Sequence, residues 1–163
     1  MASLKTRRDK RGIVQVKIIN FYGLAIVALI MIPNVVFAMK TKDGFENLWN
    51  NKAVETLEQI GRFGCFGFSF INVPHTVAGL PDGELPIYLS VSGILLALYI
   101  GGWVFLWEKT GLCRAILLSV LPSALFLFDG IICRSLLLTV AALIFAPCHI
   151  LLSCKNAIAV KKK

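Results

Sequence analysis

Charged side chains are scarce in this sequence, at 16% of its 163 residues, whereas hydrophobic residues make up 57%. Soluble domains average about 25% charged and roughly 45–50% apolar residues, because a buried core needs a polar covering. The deficit of charge excludes an ordinary soluble domain, and the long uncharged runs indicate a lipid bilayer as the solvent. We expect one membrane domain at residues 18–157, between a basic tail at 1–17 and a second basic tail at 158–163.

Motifs that carry chemistry are also missing. The sequence contains no P-loop, no GxGxxG fingerprint and no spacing typical of a metal site. Its five cysteines form no CxxC pair and lie mostly inside apolar runs, where thiols serve as small buried side chains. Cys148 and His149 are neighbours, but adjacent side chains on a helix point about 100° apart and do not readily pair as nucleophile and base. We therefore expect no catalytic residue, no cofactor and no metal, and an enzymatic activity is the least favoured of the functions considered below.

The apolar runs predict an all-α transmembrane bundle of five helices, because runs of about 20 apolar residues cross a bilayer. The predicted segments are Ile18–Met39, Asn51–Val73, Ile87–Trp107, Ala115–Phe128 and Ile131–Cys154. The last two form a helical hairpin whose turn is predicted at Asp129–Gly130. Asp129 and Arg134 flank that turn, and we expect them to pair with each other or to contact headgroups.

The first apolar run has a second interpretation. It follows a basic segment and ends in Val36-Phe37-Ala38, which is the pattern of a cleaved signal peptide over Ile18–Ala38. The run continues beyond Pro33 through Met39, which favours a retained membrane anchor.

The second segment carries its charges at helical spacing, with Glu55, Glu58 and Arg62 on one face. Ionisable residues inside a membrane span are costly and are candidates for function by default. We predict these three residues as a substrate or ion path; the alternative is a structural pairing that reaches the interface by snorkelling. Such a helix could also lie on the outer face or dip into it as a re-entrant segment, which would leave four spans.

Small residues recur on two predicted helices and indicate faces where helix backbones touch. The candidate packing residues are Gly61, Gly64 and Gly67 in the second segment, and Gly93, Ala97 and Gly101 in the third.

The formal net charge of +8 is concentrated near the two ends of the chain. Lysine and arginine in short loops prefer the cytoplasmic side. Both the five-span and the four-span arrangements place Lys109, Arg114 and Lys161–Lys163 in the cytoplasm, so the C-terminus is predicted there. The N-terminus is outside in the first arrangement and inside in the second. The expected partners are the bilayer and its anionic headgroups, and a nucleic acid is not expected.

Two stretches carry a resemblance to known proteins: GFENLWNNKAVETLEQIGRFGCFGFSFINVP and LPSALFLFDGIICRSLLLTVAALIFAPCHILLS. The chain resembles, over roughly Ile18–Ala157, a group of small uncharacterised multi-pass membrane proteins of Gram-positive bacteria. That resemblance implies a helical membrane fold with five spans and a location in the cell membrane, but it implies no activity and no site residues.

Two hypotheses for function follow. The first is a small transporter-like protein, or an accessory subunit, that handles a small solute or joins another membrane protein or a second copy of itself. The second is a non-transporting immunity, protective or interaction protein of the membrane. An intramembrane enzyme ranks third, because no catalytic motif is present.

Overall fold

The structure, a computed structural model, describes residues 7–8, 14–15, 18–40, 48–107 and 111–160. The five predicted helices are confirmed within this part of the chain, and the fold is all-α. The helices are α1 (Phe21–Lys40), α2 (Lys52–Phe70), α3 (Leu85–Phe105), α4 (Leu112–Ile132) and α5 (Leu136–Val160). Ahead of them, the two-residue strands β1 (Arg7–Arg8) and β2 (Val14–Gln15) pair antiparallel. The rest of the 1–17 tail, Lys109 and Lys161–Lys163 lie outside the described residues.

Four of the helices, α1, α3, α4 and α5, are long and apolar enough to cross a membrane, with 20 to 25 residues each. At about 1.5 Å per residue they match a hydrocarbon core roughly 30 Å thick. Large apolar side chains such as Ile32, Phe105 and Leu143 are exposed on their outer surfaces. These surfaces suit lipid and make the chain a multi-pass membrane protein.

The remaining helix, α2, is more polar and begins at a defined cap. The Asn51 side chain accepts a hydrogen bond from the Val54 N–H at 3.3 Å, which satisfies one of the free donors at the helix start. The helix ends at Phe70, earlier than the predicted Val73. The chain then becomes extended, and the Asn72 N–H donates to the Ile18 carbonyl at 2.7 Å.

Helix α2 runs antiparallel to α1 and to α5 along most of its length. At its last turn, the Asn20 N–H donates to the Phe70 carbonyl at 2.8 Å. Just before its first turn, the Trp49 N–H donates to Asn156 Oδ1, also at 2.8 Å. Because both ends are held at opposite ends of the bundle, α2 stands beside the spans and does not lie across them.

The five helices therefore alternate in direction. The starts of α1, α3 and α5 lie at one end of the bundle, which we call the Phe21 end. Their last turns lie at the other end, which we call the Val160 end. Residues 18 and 160 consequently lie at opposite ends of the bundle.

The turn between α4 and α5 lies later in the chain than predicted. Helix α4 continues through Asp129 and Gly130 to Ile132, and the turn lies at residues 133–135 with Arg134 at φ 50°. Gly130 allows α4 and α5 to approach each other closely, because a Cβ there would lie 2.9 Å from the Thr139 nitrogen. Helix α5 in turn continues past the predicted end at Cys154 to Val160.

The predicted packing glycines have two different surroundings. A Cβ on Gly61 would lie 2.7 Å from the Phe145 nitrogen, and one on Gly64 would lie 2.9 Å from the Ala141 Cβ, so α2 and α5 touch there. Gly67, on the same helix, has no heavy atom within 4 Å of its Cβ position.

On α3, the predicted stripe of small residues points away from the other described helices. Gly93 and Ala97 are exposed, and the nearest atom to a Cβ on Gly101 is 3.9 Å away on the same helix. The close approach of α3 to α4 occurs at Gly102 instead, where a Cβ would lie 2.8 Å from Leu117 Cδ2.

Candidate functional site

A buried carboxylate lies where α2 faces α5. Glu58 is 1% exposed, and its Oε1 accepts a hydrogen bond from Arg62 Nε at 3.0 Å. Arg62 Nη2 forms an ion pair with the same oxygen. His149 Nδ1, on α5, lies 2.9 Å from this oxygen as well. We call these three residues the Glu58 centre.

The close contact of α2 with α5 explains how the centre forms. Gly61 lies about one turn after Glu58, and Phe145 lies one turn before His149. The helices are antiparallel and touch at Gly61 and Phe145, so Glu58 and His149 lie at the same level along the two helix axes. The Phe145 ring stacks on the His149 ring with centroids 4.5 Å apart, which holds the imidazole in position.

Two donors surround Glu58 when its carboxylate is ionised. An ionised carboxylate can only accept hydrogen bonds, so its contact with His149 then has Nδ1–H as the donor. Burial of an unpaired charge is costly, and two donors on one oxygen stabilise the carboxylate in an apolar bundle. The two donors are less enclosed than the acceptor: the Arg62 side chain is 35% exposed and that of His149 is 20% exposed. Parts of both donor side chains are therefore not covered by the described part of the bundle.

Polar groups from two more helices lie close to the centre. The Arg62 guanidinium is near enough to the Tyr99 hydroxyl on α3 to interact with it electrostatically. That hydroxyl accepts a hydrogen bond from Asn34 Nδ2 on α1 at 2.8 Å. Residues of α1, α2, α3 and α5 thus contribute polar groups to one region of the bundle.

Of the three residues predicted as a path, the structure brings Glu58 and Arg62 together and places Glu55 elsewhere. Glu55 Oε1 accepts from the Asn51 N–H at 3.2 Å, at the start of α2. His149 was not predicted as a member of the centre, because 91 residues separate it from Glu58. The rule that ionisable residues within a span are functional candidates, applied to α5, would have selected it.

A second buried carboxyl lies between α3 and α4. Asp129 is 2% exposed and accepts a hydrogen bond from the Ser92 hydroxyl at 2.7 Å. The predicted pairing of Asp129 with Arg134 is wrong: no ion pair joins them within 4.0 Å, and Arg134 is exposed in the turn. The reason is that α4 continues past Asp129, which directs its side chain toward α3.

Basic and aromatic side chains gather at the Val160 end. The Arg114 guanidinium lies 5.0 Å from the Phe37 ring and 5.2 Å from the Trp103 ring, and Lys40 lies 5.5 Å from the Trp107 ring. Such cation–π groups are typical of the boundary between hydrocarbon and headgroups. Lys52 and Lys155 are exposed at the same end.

Comparisons of the chain with protein-family models, with curated proteins and with solved structures give no match. Among the residues that the structure describes, no group of three or more His, Cys, Asp and Glu side chains is arranged to hold a metal ion.

Proposed function

We propose that this membrane protein moves a small anionic solute together with a proton across the bilayer, alone or as an accessory subunit, with the Glu58 centre as its binding site. One observation carries the proposal. A fully enclosed carboxylate is bridged by an arginine and a histidine that are both partly exposed. Structural ion pairs inside a bundle do not require accessible partners, whereas a binding site does.

The chemistry of the centre supports coupling of the two ligands. In the unloaded state the Glu58 carboxylate binds the side chains of both Arg62 and His149, which leaves neither free for a solute. Protonation of Glu58 cancels its charge, which weakens both contacts and releases the two donors. The planar guanidinium of Arg62 then suits a carboxylate or a phosphate group, which it can bind through two parallel hydrogen bonds. Proton binding and anion binding thus favour each other.

The proposed location is the bacterial cell membrane with the Val160 end in the cytoplasm. Lys40, Lys52, Arg114 and Lys155 lie at that end, and the positive-inside rule favours the cytoplasm for them. The Phe21 end carries Asp82, Glu84 and Arg134 in its described loops. The resemblance to membrane proteins of Gram-positive bacteria supports the same location.

Proteoliposomes with a trapped pH-sensitive dye would test this function. A panel of small carboxylates and phosphates is added outside, and proton entry is followed with the purified wild type and with Glu58→Gln. We expect at least one anion to drive proton entry, and Glu58→Gln to slow it about tenfold or more, because the glutamine amide does not take up a proton in this pH range.

Glu55→Gln is the matched control, since Glu55 lies on the same helix outside the centre, and it should retain most of the flux. Thermal unfolding in detergent shows that the variants are folded. If the wild type gives no flux above protein-free vesicles, or if folded Glu58→Gln equals the wild type, the transport proposal fails.

An interaction or protective role is a second candidate, favoured by the outer face of α3. Gly93 and Ala97 are exposed and offer small residues to a partner helix in the membrane. Cells that express the chain would then show altered sensitivity to a membrane-active peptide. Gly93→Leu should abolish that effect and Glu58→Gln should not; the opposite pattern supports transport.

A further inference from the structure

Asp129 differs from Glu58 in what surrounds it. Its Oδ1 accepts the Ser92 hydroxyl at 2.7 Å, and both side chains are at least nine-tenths buried. Its second oxygen, Oδ2, is enclosed and has no hydrogen-bond partner within the described part of the chain. No lysine, arginine or histidine of that part forms an ion pair with Asp129.

The titratable groups near Asp129 supply no positive charge. Tyr88 on α3 and Cys133 at the end of α4 interact with it electrostatically. Tyr22 on α1 packs edge-on against Tyr88, with ring centroids 6.3 Å apart. From α5, the uncharged Thr139 lies against Gly130, the residue next to Asp129.

A carboxylate in these surroundings would be an uncompensated charge in an apolar interior. Such a group usually takes up a proton, because loss of the charge costs less than its burial. We propose that Asp129 is a proton-binding site that is occupied at neutral pH, with the proton on Oδ2 and with the Ser92 hydroxyl donating to Oδ1 as a carbonyl oxygen. This arrangement leaves one neutral O–H without a partner instead of a charged oxygen.

The site is distinct from the Glu58 centre and does not depend on the proposed transport. Asp129 lies in the last turns of α4 at the Phe21 end, whereas Glu58 lies in the half of α2 nearer the Val160 end. The two carboxyls therefore have opposite states: Glu58 is ionised and paired, and Asp129 is neutral and paired only with a hydroxyl.

Infrared spectroscopy of the full-length protein in liposomes at neutral pH tests the proposal. Aspartate labelled with ¹³C at its side-chain carboxyl separates aspartate bands from glutamate bands. We expect a carbonyl stretch of a protonated carboxyl that shifts with the label and shifts again on transfer to D₂O. The band should vanish in Asp129→Asn and persist in Glu58→Gln.

Ser92→Ala provides a second variant, so that the result does not depend on whether Asp129→Asn folds. Loss of the Ser92 hydrogen bond should move the carbonyl band to higher frequency. The proposal is overturned if labelled aspartate shows only carboxylate bands, or if the protonated band survives in Asp129→Asn. It is also overturned if addition of sodium chloride converts the band to a carboxylate, which would assign the site to a metal cation.

Discussion

The carboxylate of Glu58 and the imidazole of His149 meet at 2.9 Å, although 91 residues separate them in the chain. This contact joins α2, the most polar helix, to α5, the longest one. The same carboxylate pairs with Arg62 one turn along its own helix. A local ion pair and a tertiary contact therefore share one oxygen atom, and each should affect the other.

That sharing predicts a measurable coupling between Glu58 and His149. In a double-mutant cycle of Glu58→Gln, His149→Gln and the double variant, we expect a coupling of about 0.5–3 kcal/mol in the free energy of unfolding in detergent. The physical reason is that either single change weakens a buried charge-assisted hydrogen bond.

The other histidine supplies the control for this cycle. His75 is exposed in the loop after α2 with φ 69°, a conformation that asparagine tolerates. His75→Asn should change the unfolding free energy by no more than about 0.5 kcal/mol. Strict additivity of the Glu58 and His149 changes would contradict the contact.

The contact of α2 with α5 predicts that the same substitution changes stability differently at two glycines of α2. Gly61→Ala should lower the free energy of unfolding by about 1–3 kcal/mol, because its Cβ would press on the Phe145 backbone. Gly67→Ala should be neutral or stabilising by up to about 1 kcal/mol, since alanine favours the helix and nothing lies within 4 Å. Equal effects of the two changes would show that α2 does not pack as described.

Gly23 predicts a similar effect for the docking of α1 on α2. A Cβ there would overlap the Ser69 carbonyl oxygen, so one of the two backbones must move. Gly23→Ala should lower the unfolding temperature in detergent and make α1 more susceptible to limited proteolysis. Gly93→Ala, which meets no atom within 4 Å, is the control and should do neither.

The antiparallel path of α2 predicts which loops share a side of the membrane. Single cysteines at Asn50, Asp82 and Lys155, in a chain whose native cysteines are replaced by serine or alanine, can be labelled with an impermeant maleimide in cells. Asn50→Cys and Lys155→Cys should behave alike, and Asp82→Cys should be labelled from the opposite side. Labelling of Asn50→Cys and Asp82→Cys from the same side would contradict this topology and support the four-span arrangement with a re-entrant α2.

The number and approximate positions of the helices could be predicted from the sequence, because their causes are local. A run such as Ile87–Trp107 lacks charge over the length that crosses a bilayer, and a helix there satisfies its own backbone groups. The cap at Asn51 has the same kind of local cause, since it depends on a residue three positions away. The pairing of Glu58 with Arg62 also followed from their spacing along one helix.

Contacts between residues that lie far apart in the chain could not be predicted, because they depend on how the helices pack. Nothing near Asp129 in the sequence indicates Ser92 as its hydrogen-bond partner. Because a glycine follows Asp129, the sequence predicted a turn there, whereas in the structure the helix continues and Gly130 packs on Thr139. Small residues likewise occur on both sides of α3, and only the position of α4 selects Gly102 over Gly101. The physical reason is that lipid and protein are equally apolar, so hydrophobic pattern cannot tell which helix face is buried; backbone fit and polar contacts between helices make that choice.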